Sequence, residues 1–478
     1  MALKEAVPAV DQEAQEDAII AELIAKGRAA MAEFANADQE AVNDAVTALA
    51  WAIYQPERAR ELAEVAVRDT GLGNVKDKIT KNRRKTFGTL RDLLREDART
   101  VGIIEELPDR GIVKYGKPVG IVTAVCPSTN PAATPVNKSM FAIKGRNAVV
   151  LAPSPAGHSA TARVAEMMRD ELSRAGHPKD LVQVLPQVSK SLTQKLMNAS
   201  DLIVVTGSQD NVRRAYSSGK PAIGVGLGNA PVIIDETADF QQAAEKIRLS
   251  KTFDNATSCS SENAIIIVDE AYDAAIAALE TAGGYLTTPD EKQNIQDNLW
   301  VNGKLNRHMI AKDPSVFAEM AGLPAESKTA KFFLVEETGV GKDHPFSGEK
   351  LSLALTIYRA RDFDDAIDVV RRILGYQGAG HSCGLHSTNP DHMRQLAEEL
   401  DVVRVLINQA HAIGNGGSFD NGLNFTLSMG CGTWAGNSIT ENLNYRNFIN
   451  ITHLSTVIPD ETPKDEDLFG TYFDRHGQ

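Results

Sequence analysis

The 478 residues are 42% hydrophobic and 24% charged, with 63 acidic against 50 basic side chains and a net charge of −13. A chain of that length buries two or three hydrophobic lobes without covalent staples, and its acidic balance, with no long basic run, argues against nucleic acid as a bulk partner. No segment reaches the ~18 uninterrupted apolar residues of a membrane span. Met1 to Ala6 shows no basic-then-apolar leader, and the cysteines at 126, 259, 383 and 431 lack disulfide or zinc spacing, so a reducing, cytoplasmic setting with no metal site is expected.

The chain opens with helices. Ile19, Ile20, Leu23 and Ile24 recur at helical spacing within Asp17 to Phe34, and Gln39 to Tyr54 repeats the pattern behind an Asn36/Asp38 start signal. Thr100 to Leu107 and Gly111 to Gly116, joined by Pro108-Asp109-Arg110, read as a protruding hairpin of the kind that serves oligomerisation. From residue 118 apolar runs at Gly120 to Val125, Ala148 to Ala152, Leu181 to Leu185, Leu202 to Val205 and Ala222 to Val225 alternate with helices starting near Pro135, His158, Lys190 and Asp210. Such alternation predicts a parallel, doubly wound sheet with ligands at the carboxyl ends of its strands. A second α/β lobe follows, with strands at Val232 to Ile234, Ala264 to Val268, Lys331 to Val335, Ser352 to Tyr358, Gly384 to His386 and Val402 to Ile407. Its helices lie near Phe240, Ala271, Asp364 and Pro390. Phe448 to Val457 is strand-like, and the charged tail Asp460 to Gln478 is expected at the periphery.

Several segments carry chemistry. Phe253 to Asn263 sets Cys259 among small polar residues; a reachable thiolate there is a nucleophile, whereas a buried thiol is only a small hydrophobe. Asn130, between Pro127 and Pro131, either donates to an oxyanion or caps the next helix. Thr206-Gly207-Ser208 runs from strand to helix, as a pyrophosphate cradle or as a turn that needs glycine. Gly224 to Pro231 marks a tight backbone approach. Glu349, before a strand, and His381, within Gly378 to Cys383, each fit a solvated loop as well as a site. The glycine- and amide-rich Gly414 to Gly422 and Met429 to Ser438 read as a loop that closes over something or as flexible surface.

In this order these segments resemble the aldehyde dehydrogenase superfamily, and within it the CoA-acylating branch, over about residues 15–457. The resemblance rests on Pro127-Ser128-Thr129-Asn130-Pro131, Thr206-Gly207-Ser208, the motif around Cys259, Glu349-Lys350-Leu351, Gly378 to Ser382 and Met429 to Asn442. It implies an α/β fold of two doubly wound lobes, a Rossmann-like cofactor lobe at 1–99 and 117–229 and a catalytic lobe at 230–441. A β-hairpin arm at 100–116 and the segment 442–478 would bridge subunits of a homodimer or homotetramer. Cys259 would be the nucleophile, Asn130 an oxyanion donor beside the Cys259 backbone N–H, and His381 a group near the thiol of coenzyme A or a proton carrier. Ser128, Thr129, Ser154, Thr206, Gly207, Ser208, Gly226, Leu227, Glu349 and Leu351 would line NADP or NAD, with Glu349 at the nicotinamide ribose.

Two departures stand out. Hydrolysing relatives keep a glutamate general base where this chain has Gly226, and a lysine for the adenosine ribose where it has Pro153-Ser154-Pro155. The implied reaction is therefore reversible oxidation of a short aldehyde to an acyl-CoA, with sulfoacetaldehyde as first choice and succinate semialdehyde or acetaldehyde as alternatives. An anionic tail would need donors such as Ser258, Ser260, His411, Ser418 or an arginine. The residues by themselves also leave open a Cys259/His381 acyl-transfer hydrolase and a catalytically silent structural protein.

Overall fold

The computed structural model describes residues 9–477. The Met1 to Ala6 leader expectation and the first eight residues of the expected cofactor lobe lie outside that range. Four helices lead: α1 (Ala9–Glu33), α2 (Gln39–Tyr54), α3 (Pro56–Thr70) and α4 (Val75–Leu93). Asp38 starts α2 by accepting from Ala41 N at 2.8 Å, and Val42, Val46, Leu49 and Ile53 form its buried face. α4 differs, because Lys78, Lys81 and Lys85 are among its buried residues.

The hairpin is β1 (Gly102–Leu107) and β2 (Ile112–Pro118), turned at Gly111 with φ 59°. The first parallel sheet comprises β3 (Ile121–Val125), β4 (Ala148–Ala152), β5 (Val182–Val184), β6 (Leu202–Val205) and β7 (Ala222–Gly224) in the order β5-β4-β3-β6-β7. Helices α5 (Ala133–Lys144), α6 (His158–Arg174), α7 (Lys190–Ala199) and α8 (Gln209–Tyr216) connect its strands. Every residue of β3, β4 and β6 is buried, as a strand covered on both faces requires. The strand order reverses between β3 and β6, which opens a crevice at their carboxyl ends.

The second lobe contains β8 (Ala230–Ile234), α9 (Phe240–Thr252), β9 (Glu262–Val268), α10 (Tyr272–Thr281), β10 (Gly284–Leu286), α11 (Pro289–Leu299), β11 (Trp300–Val301), β12 (Lys304–Leu305) and α12 (Pro314–Met320). It continues with β13 (Phe332–Glu336), β14 (Ala354–Ala360), α13 (Phe363–Tyr376), β15 (Cys383–His386), α14 (Pro390–Glu399) and β16 (Val405–Ile407). Its seven-stranded parallel sheet runs β10-β13-β14-β9-β8-β15-β16, and β11 with β12 is a separate ribbon. Each large sheet has its own apolar core. After α15 (His411–Gly414), Leu443 and Phe448 return to the first core. β17 (Ile449–Ser455) then pairs antiparallel with β2, completing a three-stranded arm.

Residues 284–320, for which the sequence predicts no element, hold β10, α11, β11, β12 and α12. The three strands there span two or three residues, too short to show a period. α11, by contrast, carries a legible start in Pro289 and the Thr288/Glu291 capping box. The charged tail folds as α16 (Asp465–His476) and is exposed throughout most of its length. No helix among the described residues is long and apolar enough to cross a membrane.

Candidate active site

The carboxyl ends of the first sheet carry four loops. Cys126 to Pro131 follows β3 and lies beside Pro153 to Gly157 after β4, with Cys126 N bonded to Ala152 O at 2.9 Å and Ser154 N to Cys126 O at 3.1 Å. Thr206 follows β6, its N–H on Val125 O at 3.1 Å and its hydroxyl on Ser428 Oγ at 2.5 Å. Gly207 takes φ 151°, a conformation that favours glycine, with open space where a side chain would begin and Pro127 as its nearest neighbour. Ser208 is exposed and caps α8 by accepting from Asn211 N at 3.4 Å. After β7, Gly226 is half-buried and Leu227 exposed.

Asn130 does not cap the helix that follows it. The N-cap of α5 is Ala132, with no side-chain cap, and Asn130 Oδ1 is buried without a partner. Ser128 and Thr129 beside it are half-buried. Lys78 Nζ bonds Thr129 O at 3.1 Å and Asp254 Oδ2 at 2.9 Å, so one ammonium ties the Asn130 loop to the segment that leads into Cys259. Burial lowers Lys78 to about 8, against the pull of Asp254. Asp254, Asn255 and Ala256 are successive left-handed residues, with φ 51°, 53° and 59°.

Cys259 precedes β9, at the amino edge of the second sheet. Glu349 to Leu351 precedes β14, Gly378 to Ser382 precedes β15, and Arg404 precedes β16. Carboxyl ends of one sheet thus face amino ends of the other. Gly228, on the connection from β7 to β8, packs against Cys259, where a methyl group would collide with Cys259 Cβ. Gly226 lies against Cys431, where an added Cβ would sit 2.9 Å from its Sγ and 3.2 Å from Ala435 Cβ. No carboxylate stands at position 226, and a side chain there would press on Cys431 and Ala435.

The Cys259 side chain retains partial exposure, whereas Cys126, Cys383 and Cys431 are buried. Its surroundings are nonetheless mostly protein, and burial pushes the thiol up to about 12, with Glu349 and Cys431 adding to the shift and Ser260 and Arg404 opposing it. Burial likewise raises Glu349 to about 8. Glu349 N is held by Gln377 Oε1 at 3.1 Å. Leu351, at φ 45°, gives its carbonyl to Ala311 N at 2.8 Å.

His381 is linked to Cys259's neighbour by a hydrogen-bond chain. Asn415 Nδ2 donates to Ser260 Oγ at 2.9 Å and to Ser382 Oγ at 3.2 Å, and Ser382 Oγ lies 2.7 Å from His381 Nδ1. Nδ1 is thus engaged by Ser382, while His381 Nε2 is buried without a partner. Burial, with Arg404 and His411 nearby, holds His381 well below the usual histidine range, so the ring is neutral. Ser258 and Ser260 flank Cys259, and Ser260 also donates to Met429 Sδ at 3.2 Å. Ser418 lies elsewhere, bonded to Arg84 Nη2 at 2.7 Å and to Asp420.

Sequence reasoning gave no role to Arg404, Asn415, Ser382, Asp254 or Lys78, although Asp254, Ser382 and Asn415 lie in segments it singled out and Arg404 is a lone cation inside the apolar run Val402 to Ile407.

The small polar residue at 154 fits a dinucleotide at the first-sheet crevice, because Ser154 Oγ is buried and unpartnered there. Residues 4–296 match the model of the aldehyde dehydrogenase family. A sulfoacetaldehyde dehydrogenase (acylating) of Cupriavidus necator is 52% identical over 461 residues, covering 96% of this chain and 93% of that protein. A succinate-semialdehyde dehydrogenase (acetylating) of Clostridium kluyveri is 36% identical, covering 94% and 99%. The crystal structure of an acetylating aldehyde dehydrogenase from Geobacillus thermoglucosidasius superposes with a TM-score of 0.90 at 34% identity, covering 96% of this chain and all of that one.

Proposed function

The chain belongs to the aldehyde dehydrogenase family, in its CoA-acylating branch, and from that premise we propose that it interconverts sulfoacetaldehyde and sulfoacetyl-CoA through a thioester on Cys259. The carrying observation is the pairing of a reachable Cys259 with a glycine at 226 that is packed against Cys431, so that no carboxylate stands there to activate water. The Cys259 thiolate adds to the aldehyde carbon. Asn130 and the Cys259 backbone N–H stabilise the oxyanion; loss of one such donor typically costs ~10²–10³ in rate. The dinucleotide, when bound, supplies the hydride acceptor. Coenzyme A thiolate then takes the acyl group and releases Cys259, and because one thioester replaces another the sequence also runs backwards. His381, whose ring is kept neutral by burial, lies near the thiol of coenzyme A or carries a proton.

Ser128, Thr129, Ser154, Thr206, Gly207, Ser208, Gly226, Leu227, Glu349 and Leu351 would hold NADP or NAD, with Glu349 at the ribose. The lobes are 1–99 with 117–229 and 230–441, and 100–116 with 442–478 bridges a homo-oligomer. A cytoplasmic setting accompanies this reading, in keeping with four free thiols. Succinate semialdehyde is the second substrate reading, favoured by the 36% identity to the Clostridium kluyveri protein.

A rate panel of sulfoacetaldehyde, succinate semialdehyde and acetaldehyde with NAD or NADP, with and without CoA, tests the proposal by absorbance of the reduced dinucleotide. Sulfoacetaldehyde should give the highest kcat/KM, and oxidation should stop when CoA is omitted. Cys259→Ser should abolish both directions, while serine at 126, 383 or 431 leaves measurable turnover. Undiminished oxidation without CoA, or a Cys383→Ser variant as inactive as Cys259→Ser, would overturn it.

A further inference from the structure

Behind Cys259 the protein buries several polar atoms that have no partner. Arg404 is 4% exposed and its guanidinium meets no carboxylate. Nη1 bonds Asn442 Oδ1 at 3.1 Å, Nη2 bonds His381 O at 2.8 Å and Gly430 O at 2.9 Å, and Nε bonds nothing. His411 is 1% exposed, and neither of its ring nitrogens has a partner. Asn442 Nδ2 donates to Asn415 O at 3.1 Å, Asn415 N to His411 O at 3.0 Å, and Asn415 Nδ2 to Ser260 Oγ. These bonds link Arg404 and His411 to one another and to the residue next to Cys259. A buried cation without a counter-charge, and a buried imidazole with both nitrogens idle, are each costly to fold. Both costs are relieved by one anionic group that accepts hydrogen bonds.

We infer that Arg404 and His411 form the subsite for the anionic end of the substrate, a sulfonate whose oxygens accept from Arg404 Nε–H and from the His411 ring N–H. The inference rests on the proposed reading of a short anionic aldehyde as substrate. In a two-carbon substrate the sulfonate is one methylene from the reacting carbonyl, so its donors must stand in the immediate surroundings of Cys259. Arg404 does so: its Nη2 is held by His381 O at 2.8 Å and by Gly430 O at 2.9 Å, and the neighbouring Met429 accepts from Ser260, the residue after Cys259, at 3.2 Å. Two carboxyls lie nearby, Glu262, which accepts from His411 N at 3.1 Å, and Glu349; burial raises them to about 7 and about 8, so they accommodate an anion when protonated and oppose it as pH rises. Of the tail donors expected from sequence, His411 is retained and an arginine identified, while Ser260 is engaged by Asn415 and Met429, and Ser418 by Arg84 and Asp420.

The test compares His411→Ala, His411→Gln and Arg404→Lys with the unaltered protein. It reads kcat/KM for sulfoacetaldehyde and for acetaldehyde, and the binding of isethionate, an unreactive hydroxy-sulfonate, by calorimetry. His411→Ala should lower kcat/KM for sulfoacetaldehyde and isethionate affinity by roughly 10- to 100-fold, the loss of a hydrogen bond to a charged group, and change acetaldehyde by less than about threefold. His411→Gln, which keeps an N–H donor, should recover part of the loss. Arg404→Lys should act in the same direction, with thermal unfolding reporting whether it folds. An equal fall with both aldehydes, or turnover of sulfoacetaldehyde unaffected by all three variants, overturns the subsite and leaves the substrate reading standing. Isethionate binding that depends on His411, in a protein that does not turn over sulfoacetaldehyde, supports the subsite and overturns the substrate reading.

Discussion

A thiol held near 12 is almost wholly protonated at neutral pH. Burial is the main cause, and the Glu349 carboxylate is the next. Above about pH 8 Glu349 ionises and sets a negative charge beside the thiol, which opposes thiolate formation further. Glu349→Gln removes that charge and should lower the thiol's titration. In the protein without cofactor, Cys259 alkylation by iodoacetamide should rise about tenfold per pH unit up to pH 10 without a plateau, as expected for a thiol titrating well above that range. At pH 9 the Gln variant should react faster than the parent; an equal or slower rate would count against Glu349 as a neighbour of the thiol. Cys259 was legible because its flanking residues are small and polar. Its thiol environment was not, since Glu349, Cys431 and Arg404 are 90, 172 and 145 positions away in sequence.

At the scale of elements, α4 and the turn before Cys259 act together. Lys78 and Lys81 both bond Asp254 Oδ2, at 2.9 and 2.6 Å, and this holds the left-handed run 254–256 in place. Burial alone would raise the Asp254 carboxyl, but Lys81 and Lys78 outweigh it and keep it below the usual carboxylate range. Asp254→Asn leaves two buried ammoniums unpaired and should cost about 3–5 kcal/mol, read by urea unfolding. Because the folded carboxyl titrates lower than the unfolded one, its contribution is present above the ordinary carboxylate range and is lost as pH falls through the lowered value. The variant should therefore lose less stability than the parent as pH falls through that range. Charged residues at 78, 81 and 85 read locally as a solvated helical face. Their burial depends on Asp254 and on the carbonyls of Gly416 and Gly417, to which Lys85 donates, and neither partner is visible in α4 itself.

At the scale of the whole molecule, the three-stranded arm leaves β17 largely exposed, with Ile451 and Leu454 at 46% and 44%. Its outer edge has no partner strand among the described residues, and such an edge is a template for another chain. If the arm bridges subunits, Ile451→Asp with Leu454→Asp should lower the mass measured by light scattering while far-ultraviolet circular dichroism stays unchanged. An unchanged mass would remove the arm from assembly. The order of apolar strands and helices determined two parallel sheets, because continuous apolar runs have few other ways to bury both faces. The motifs likewise determined which loops carry chemistry. How those loops meet was decided only in three dimensions. The first sheet contributes its carboxyl ends and the second its amino ends, and Gly228, on the connection between the two sheets, packs against Cys259. Arg404 and His411 gain their character the same way, because a polar atom's lack of a partner is a property of everything packed around it and is written in no single stretch of sequence.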